Sequence, residues 1–239
     1  MPLSITPLSI TALFIYGIGN CCNVVVVNQE KRKDRNMAVK DHSLDDKIVN
    51  AAWEEFMQHG FQKASLHKIV DKAGITTGAL YTRYKNKDAL FCSLIEDAMK
   101  ELAGKSQPLR EMYYAVEKSR SVEEFIQVMR HERDIYIDFL FQYYRECTLF
   151  FCHSEGSSIG EMLHRMMTVK SEETLAFMER IAGKPIDLKG IEMVLAEQFH
   201  FYRYILEKGY SKEEAISCMQ TVNMFFEAGW KKLFEQILC

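Results

Sequence analysis

With 239 residues, 48% of them hydrophobic and 26% charged, the chain has an ordinary globular composition and can bury a substantial core in one or two domains. Its formal net charge of −3 excludes a chain that is basic all over, so any nucleic-acid surface must be a local patch with the acidic excess elsewhere. Only four prolines and twelve glycines, among many Leu, Met, Glu and Lys, point to an all-α fold, and the seven cysteines, odd in number and without a Cys-x-x-Cys pair, point to reduced thiols and a cytoplasmic protein.

Residues 1–36 differ from the rest, being free of charge until Glu30 and apolar from Leu8 to Val27. A transmembrane anchor needs about 20 predominantly apolar residues, and Ser9, Thr11, Asn20 and Asn23 interrupt this stretch, although Lys31, Arg32 and Lys33 would then mark a cytoplasmic side. A signal peptide carries its positive charge before the apolar core, and here it follows. The favoured reading is that translation starts at Met37, with a disordered N-terminal extension as the alternative; no membrane partner is expected.

From Leu44, the spacing of Ile48, Ala51, Ala52 and Phe56 predicts an amphipathic helix ended by Gly60. Ser65 then caps a short helix with Leu66, Ile69, Val70 and Ala73 at helical spacing, and Gly74 supplies the left-handed stop. Thr76 caps a second short helix that turns Leu80 and Tyr84 inward, while Thr77, Gly78, Tyr81, Thr82 and Arg83 face out. Two short helices joined by a tight turn make a helix-turn-helix, and the outward face suits a major groove. Lys63, Lys68, Lys72, Arg83, Lys85 and Lys87 against Asp71 alone leave a local net charge of +5. A solvated helical pair inside a larger bundle would satisfy the same spacing.

The run Gly74-Ile75-Thr76-Thr77-Gly78-Ala79-Leu80-Tyr81-Thr82-Arg83-Tyr84-Lys85-Asn86-Lys87, followed by Leu90, closely resembles the DNA-binding signature of TetR-family transcriptional regulators. The resemblance covers roughly Leu44 to Leu94 by motif and the remainder only by length and helical pattern. It implies that Tyr81 and Lys87 hold phosphates and that Thr77, Gly78, Thr82 and Arg83 face the groove. With the caps Ser65 and Thr76, these form the expected DNA-binding set. Val70 departs from the alanine more usual in the family, which would widen the packing of the first two helices slightly.

Asn86 caps a fourth helix, with Leu90, Leu94, Ile95, Ala98, Met99 and Leu102 on its inner side, predicted to end near Gln107 before Pro108. Beyond it, Ser121-x-x-Glu124 and Ser211-x-x-Glu214 read as capping boxes, and Gly183 to Pro185 and Gly209 as helix ends, so five or six helices follow. The last two, about Asp187 to Lys208 and Lys212 to Leu238, are apolar on more than one side and need burial on two faces. Two such helices from each of two chains would make a four-helix homodimer interface, as the resemblance also implies, and the apolar pattern puts Phe226 and Trp230 in it; a core helix pair within one chain is the alternative.

Two Glu-x-x-His pairs, Glu161 with His164 and Glu197 with His200, have the spacing used by di-iron carboxylate bundles. They keep a helical-bundle metal enzyme as the alternative function, although chance accounts for both pairs. Cys147, Cys152 and His153 read as a buried apolar segment rather than a metal or redox cluster. An aromatic and methionine-rich middle, including Tyr136, Phe139, Phe150, Met162, Phe199 and Tyr202, would serve as core or line a ligand cavity.

The expected protein is therefore an all-α chain with an N-terminal three-helix DNA-binding domain over residues 37–92 and a larger ligand-binding and dimerisation domain over 93–239. It would be a regulator rather than an enzyme, binding a double-stranded, pseudo-palindromic operator as a dimer. The resemblance adds repression and a small-molecule effector whose binding residues it does not name, and no cofactor is expected.

Overall fold

The computed structural model describes residues 42–187 and 189–238, and the 1–36 extension lies outside them. Every regular element among the described residues is helical. In chain order these are α1 (His42–Lys63), α2 (Leu66–Ala73), α3 (Thr77–Arg83), α4 (Lys87–Ser119), α5 (Val122–Gln142), α6 (Tyr144–Cys152), α7 (Ser158–Ala182), α8 (Ile191–Lys208) and α9 (Lys212–Leu238).

The caps read from sequence are made. Asn86 Oδ1 accepts from Ala89 N at 2.7 Å, and the Ser211 box closes both ways, Glu214 N donating to Ser211 Oγ at 3.2 Å and Ser211 N to Glu214 Oε2 at 2.8 Å. The Ser121 box closes through an intermediary: Ser121 Oγ accepts from Glu124 N, but the Glu124 carboxylate takes the Ser119 hydroxyl, whose oxygen accepts from Ser121 N.

Helix α4 does not end before Pro108. It continues to Ser119 with the proline inside it. An interior proline removes one ladder hydrogen bond and costs about 3 kcal/mol, but Leu109, Tyr113 and Val116 beyond it are buried, and their burial at about 1.5–3 kcal/mol each outweighs that cost.

The chain forms two compact units. The head comprises 42–99 together with Arg145–Leu163, so α6 and the start of α7 pack with the helix-turn-helix. Its aromatic centre is Phe56, Phe61 and Phe91, with Phe91 edge-on to both others at 5.0 and 5.2 Å. Arg145 of α6 lies over the Trp53 ring at 4.5 Å, and Asp88 of α4 caps α7 by accepting from Ser158 N at 2.8 Å and Ser158 Oγ at 2.7 Å.

The body comprises Lys100–Tyr144 and 164–238. Phe125 of α5 stacks on Phe234 of α9 at 4.7 Å and on Phe177 of α7 at 6.2 Å, with Trp230 edge-on at 6.2 Å. Trp230 is only 4% exposed and belongs to this core rather than to an outer face, as its apolar character alone could not reveal. The exposed apolar side chains of α8 and α9 include others, Met193, Tyr204, Met224 and Phe225, the last 80% exposed.

Candidate nucleic-acid interface

Gly74 ends α2 at φ 65°, ψ 37°, where a side chain is disfavoured, and its N–H returns to the carbonyls of Val70 and Asp71. No heavy atom would meet a Cβ there, so the glycine serves conformation alone. The chain then re-enters helix at Thr76, whose hydroxyl oxygen accepts from Ala79 N at 3.2 Å. Leu80 is buried beneath α3 and Tyr84, its extended C-cap, is half-buried, with burial raising the phenol's pKa above the ordinary value.

The rest of α3 faces outward. Thr77, Gly78, Tyr81 and Thr82 are exposed, Tyr81 at 50%, and the Thr82 hydroxyl donates to the Gly78 carbonyl at 2.8 Å. A Cβ at Gly78 would meet nothing closer than Thr76 Oγ1 at 3.9 Å. The fold therefore does not require glycine here, whereas close approach to a groove would favour it.

Two residues of the expected set have duties within the head. Arg83 pairs through Nε with Asp45 of α1 and donates from Nη1 to the Ala79 carbonyl at 3.3 Å, so its guanidinium ties α3 to α1 instead of reaching outward. Lys87 donates to the Gln62 carbonyl at 3.1 Å and sits over the Phe61 ring at 4.8 Å, and partial burial lowers its pKa. Ser65 sits at the start of α2, where its oxygen accepts from Lys68 N at the limiting distance of 3.5 Å and its own N–H donates to Glu55 Oε1 at 2.9 Å.

Glu55 and Asp45 are the site residues that sequence reasoning missed. Each is an acid on α1 that holds one end of the α2–α3 pair, and their partners lie 10 and 38 residues away, beyond any local pattern. Of the six local cations, Lys72 also pairs internally, with Glu54, while Lys63, Lys68 and Lys85 are exposed around the two short helices. The patch is thus less positive than the bare sequence count, yet cationic.

The candidate metal residues do not converge. Glu197 and His200 are exposed on α8, and Glu161 and His164 are exposed on α7. Cys147 is buried in the head, where burial pushes its thiol far above the ordinary value, and Cys152 is half-buried.

Residues 48–94 match the family described as "Bacterial regulatory proteins, tetR family". Over 80 residues the chain is 31% identical to the HTH-type transcriptional regulator UidR of Escherichia coli (strain K12), a match spanning 33% of this chain and 41% of that relative. Over 44 residues it is 41% identical to the probable acrEF/envCD operon repressor of the same strain, spanning 18% of this chain and 20% of the other. Among solved structures, the fatty acid degradation regulator FadR from Bacillus halodurans aligns over 77% of this chain and 98% of its own, at 16% identity and a TM-score of 0.46. The chain thus spans less than half the length of the curated relatives it matches.

Proposed function

We propose that this chain, whose residues 48–94 match the tetR family of bacterial regulatory proteins, is a one-component transcriptional regulator that binds operator DNA as a homodimer and releases it when a small molecule binds the body. The observation that carries the reading is α3 itself: a capped helix with one buried anchor, Leu80, whose other face is short, polar and exposed beside exposed lysines. Repression rather than activation, and a place in the cytoplasm, follow from the family. The exposed Glu-x-x-His pairs give no support to an enzyme.

In this reading two copies of α3 enter successive major grooves of a pseudo-palindromic site. Thr77 and Thr82 meet base edges, Gly78 lets the helix end approach, and Tyr81 and Lys87 meet phosphates. Thr76 and Ser65 set the helix starts, while Arg83 holds α3 against α1. An effector that prefers the arrangement with the wrong half-site spacing lowers operator affinity by its differential binding free energy.

The test is affinity measured against salt on operators selected from a randomised library. Lys87→Ala is expected to weaken specific and non-specific binding alike and to flatten the salt slope by about one unit per chain, because it removes a cation that displaces a counterion. Tyr81→Phe is expected to weaken binding without changing that slope, and Thr77→Ala to alter preference at particular operator positions. Unchanged binding in all three, with native melting, would mean that α3 does not read DNA.

The dimer has its own test. Phe225→Glu, at an exposed apolar position, is expected to leave the monomer folded and to split the dimer by burying a charge without a partner at the interface. Light scattering at low micromolar concentration reads the result. A variant that remains dimeric would move the interface away from this face of α9.

A further inference from the structure

Phe61 stands where the aromatic centre of the head reaches the surface. Phe56 and Phe91 are fully buried, whereas Phe61 is half-buried, stacked on Phe56 at 6.2 Å and edge-on to Phe91 at 5.2 Å. A ring that only filled the core would be covered by apolar neighbours, but this one also carries a cation. Lys87 Nζ lies 4.8 Å from the ring centroid and donates to the Gln62 carbonyl at 3.1 Å. Both partners are fixed by their own surroundings. Helix α1 breaks at Gly60, φ 67° and ψ 171°, and the Phe61 N–H that follows is taken by the His153 carbonyl just past α6 at 2.8 Å. Lys87 opens α4, whose start is held by the Asn86 side chain accepting from Ala89 N at 2.7 Å.

Burial lowers the Lys87 pKa, with the Glu55 carboxylate opposing that shift, so the ammonium has lost part of its water. Attraction between a cation and a ring face strengthens as the charge is desolvated. Lys63, Lys68 and Lys85 are exposed by contrast, and ordering any of them on DNA costs the rotamer freedom of a long side chain. Lys87 has given up much of that freedom on folding, which is the advantage of a preorganised contact. An ammonium has three donors, and the Gln62 carbonyl uses one of them.

We infer that Phe61 is a positioning residue for DNA binding: its ring and the Gln62 carbonyl hold the Lys87 ammonium ready for a backbone phosphate before DNA arrives. The phosphate contact itself rests on the function proposed above. The holding of Lys87 is a property of the free protein and is tested there separately.

In the full chain without DNA, the side-chain methylene protons of Lys87 are expected to resonate upfield of those of exposed lysines, because a ring shields what lies over its face. That signal should be missing from Lys87→Ala and return to the ordinary position in Phe61→Leu. On operators selected from a randomised library, Phe61→Leu is expected to weaken binding about fivefold, the size of a modest cation–ring attraction. It should have no further effect where Lys87 is already alanine, whereas a role in stability alone would give the same loss in both backgrounds. Should Phe61→Leu fail to fold, 3,4,5-trifluorophenylalanine at position 61 keeps the shape while drawing electron density from the ring face, and the same Lys87-dependent loss is expected. Ordinary Lys87 shifts in the free protein overturn the positioning. So does a loss at position 61 that is absent or independent of Lys87 while Lys87→Ala weakens binding, and the DNA reading then stands. Shielded Lys87 shifts with unchanged binding by Lys87→Ala would instead overturn the phosphate contact, and the positioning role with it.

Discussion

Phe125→Ala is expected to cost about 3–5 kcal/mol, the range for deleting a fully buried aromatic side chain. That is a large share of the 5–15 kcal/mol typical of a folded protein. Phe125 is 1% exposed and stacked between Phe234 and Phe177 with Trp230 at its edge, so it joins α5 to α7 and α9 at one point. The lost transfer energy comes with a cavity that three helices would have to close together, and close packing resists such movement. Because only the body is touched, the melting transition of the body should fall by about 10 °C, at the few degrees per kcal/mol usual for this size. A loss under about 1 kcal/mol by denaturant unfolding would show that the body's stability does not rest on this cluster. Trp230→Glu should behave in the same way, as a core lesion and not as an interface lesion.

What could be read from sequence in advance follows the reach of each interaction. Caps act across three or four residues, so Ser65, Thr76, Asn86 and the Ser211 box were legible, as were the left-handed stops at Gly74 and Gly209. The long-range anchors were not. Glu55 on the start of α2, Asp45 on Arg83 and Asp88 on Ser158 join residues 10 to 70 positions apart, and nothing local marks an acid as a clamp. Periodicity likewise shows that a helix face is apolar without saying what covers it. Trp230 and Phe225 both read as apolar positions of α9, yet one is enclosed by its own chain and the other is left facing out. Pro108 carries a local signal for a helix end that tertiary burial overrides.

Gly160→Ala is the case in which a local rule and the tertiary structure give opposite signs. In a helix interior, alanine should stabilise by about 0.5–1 kcal/mol over glycine. At Gly160 of α7, however, an added Cβ would lie 2.4 Å from the carbonyl oxygen of Ser154 and 3.0 Å from its carbon, and backbone atoms cannot swing aside as a side chain would. That carbonyl also accepts from the Ser157 hydroxyl at 2.6 Å and from Ser157 N at 3.0 Å, and Ser157 Oγ in turn caps α7 by accepting from Gly160 N at 3.1 Å. The neighbouring His153 carbonyl receives the Phe61 N–H at 2.8 Å, just after Gly60 breaks α1 at φ 67°. A methyl group at 160 therefore presses on the turn that holds the start of α7 to the rest of the head. Overpacking of this kind costs about 1–3 kcal/mol, so the substitution is expected to destabilise the head despite its better helix propensity. Gly104→Ala in α4, where a Cβ would meet nothing within 4 Å, is the control and is expected to stabilise by about 0.5–1 kcal/mol. Denaturant unfolding of the two variants decides the matter: a gain at both positions would mean that the 153–157 turn yields freely and does not brace the head.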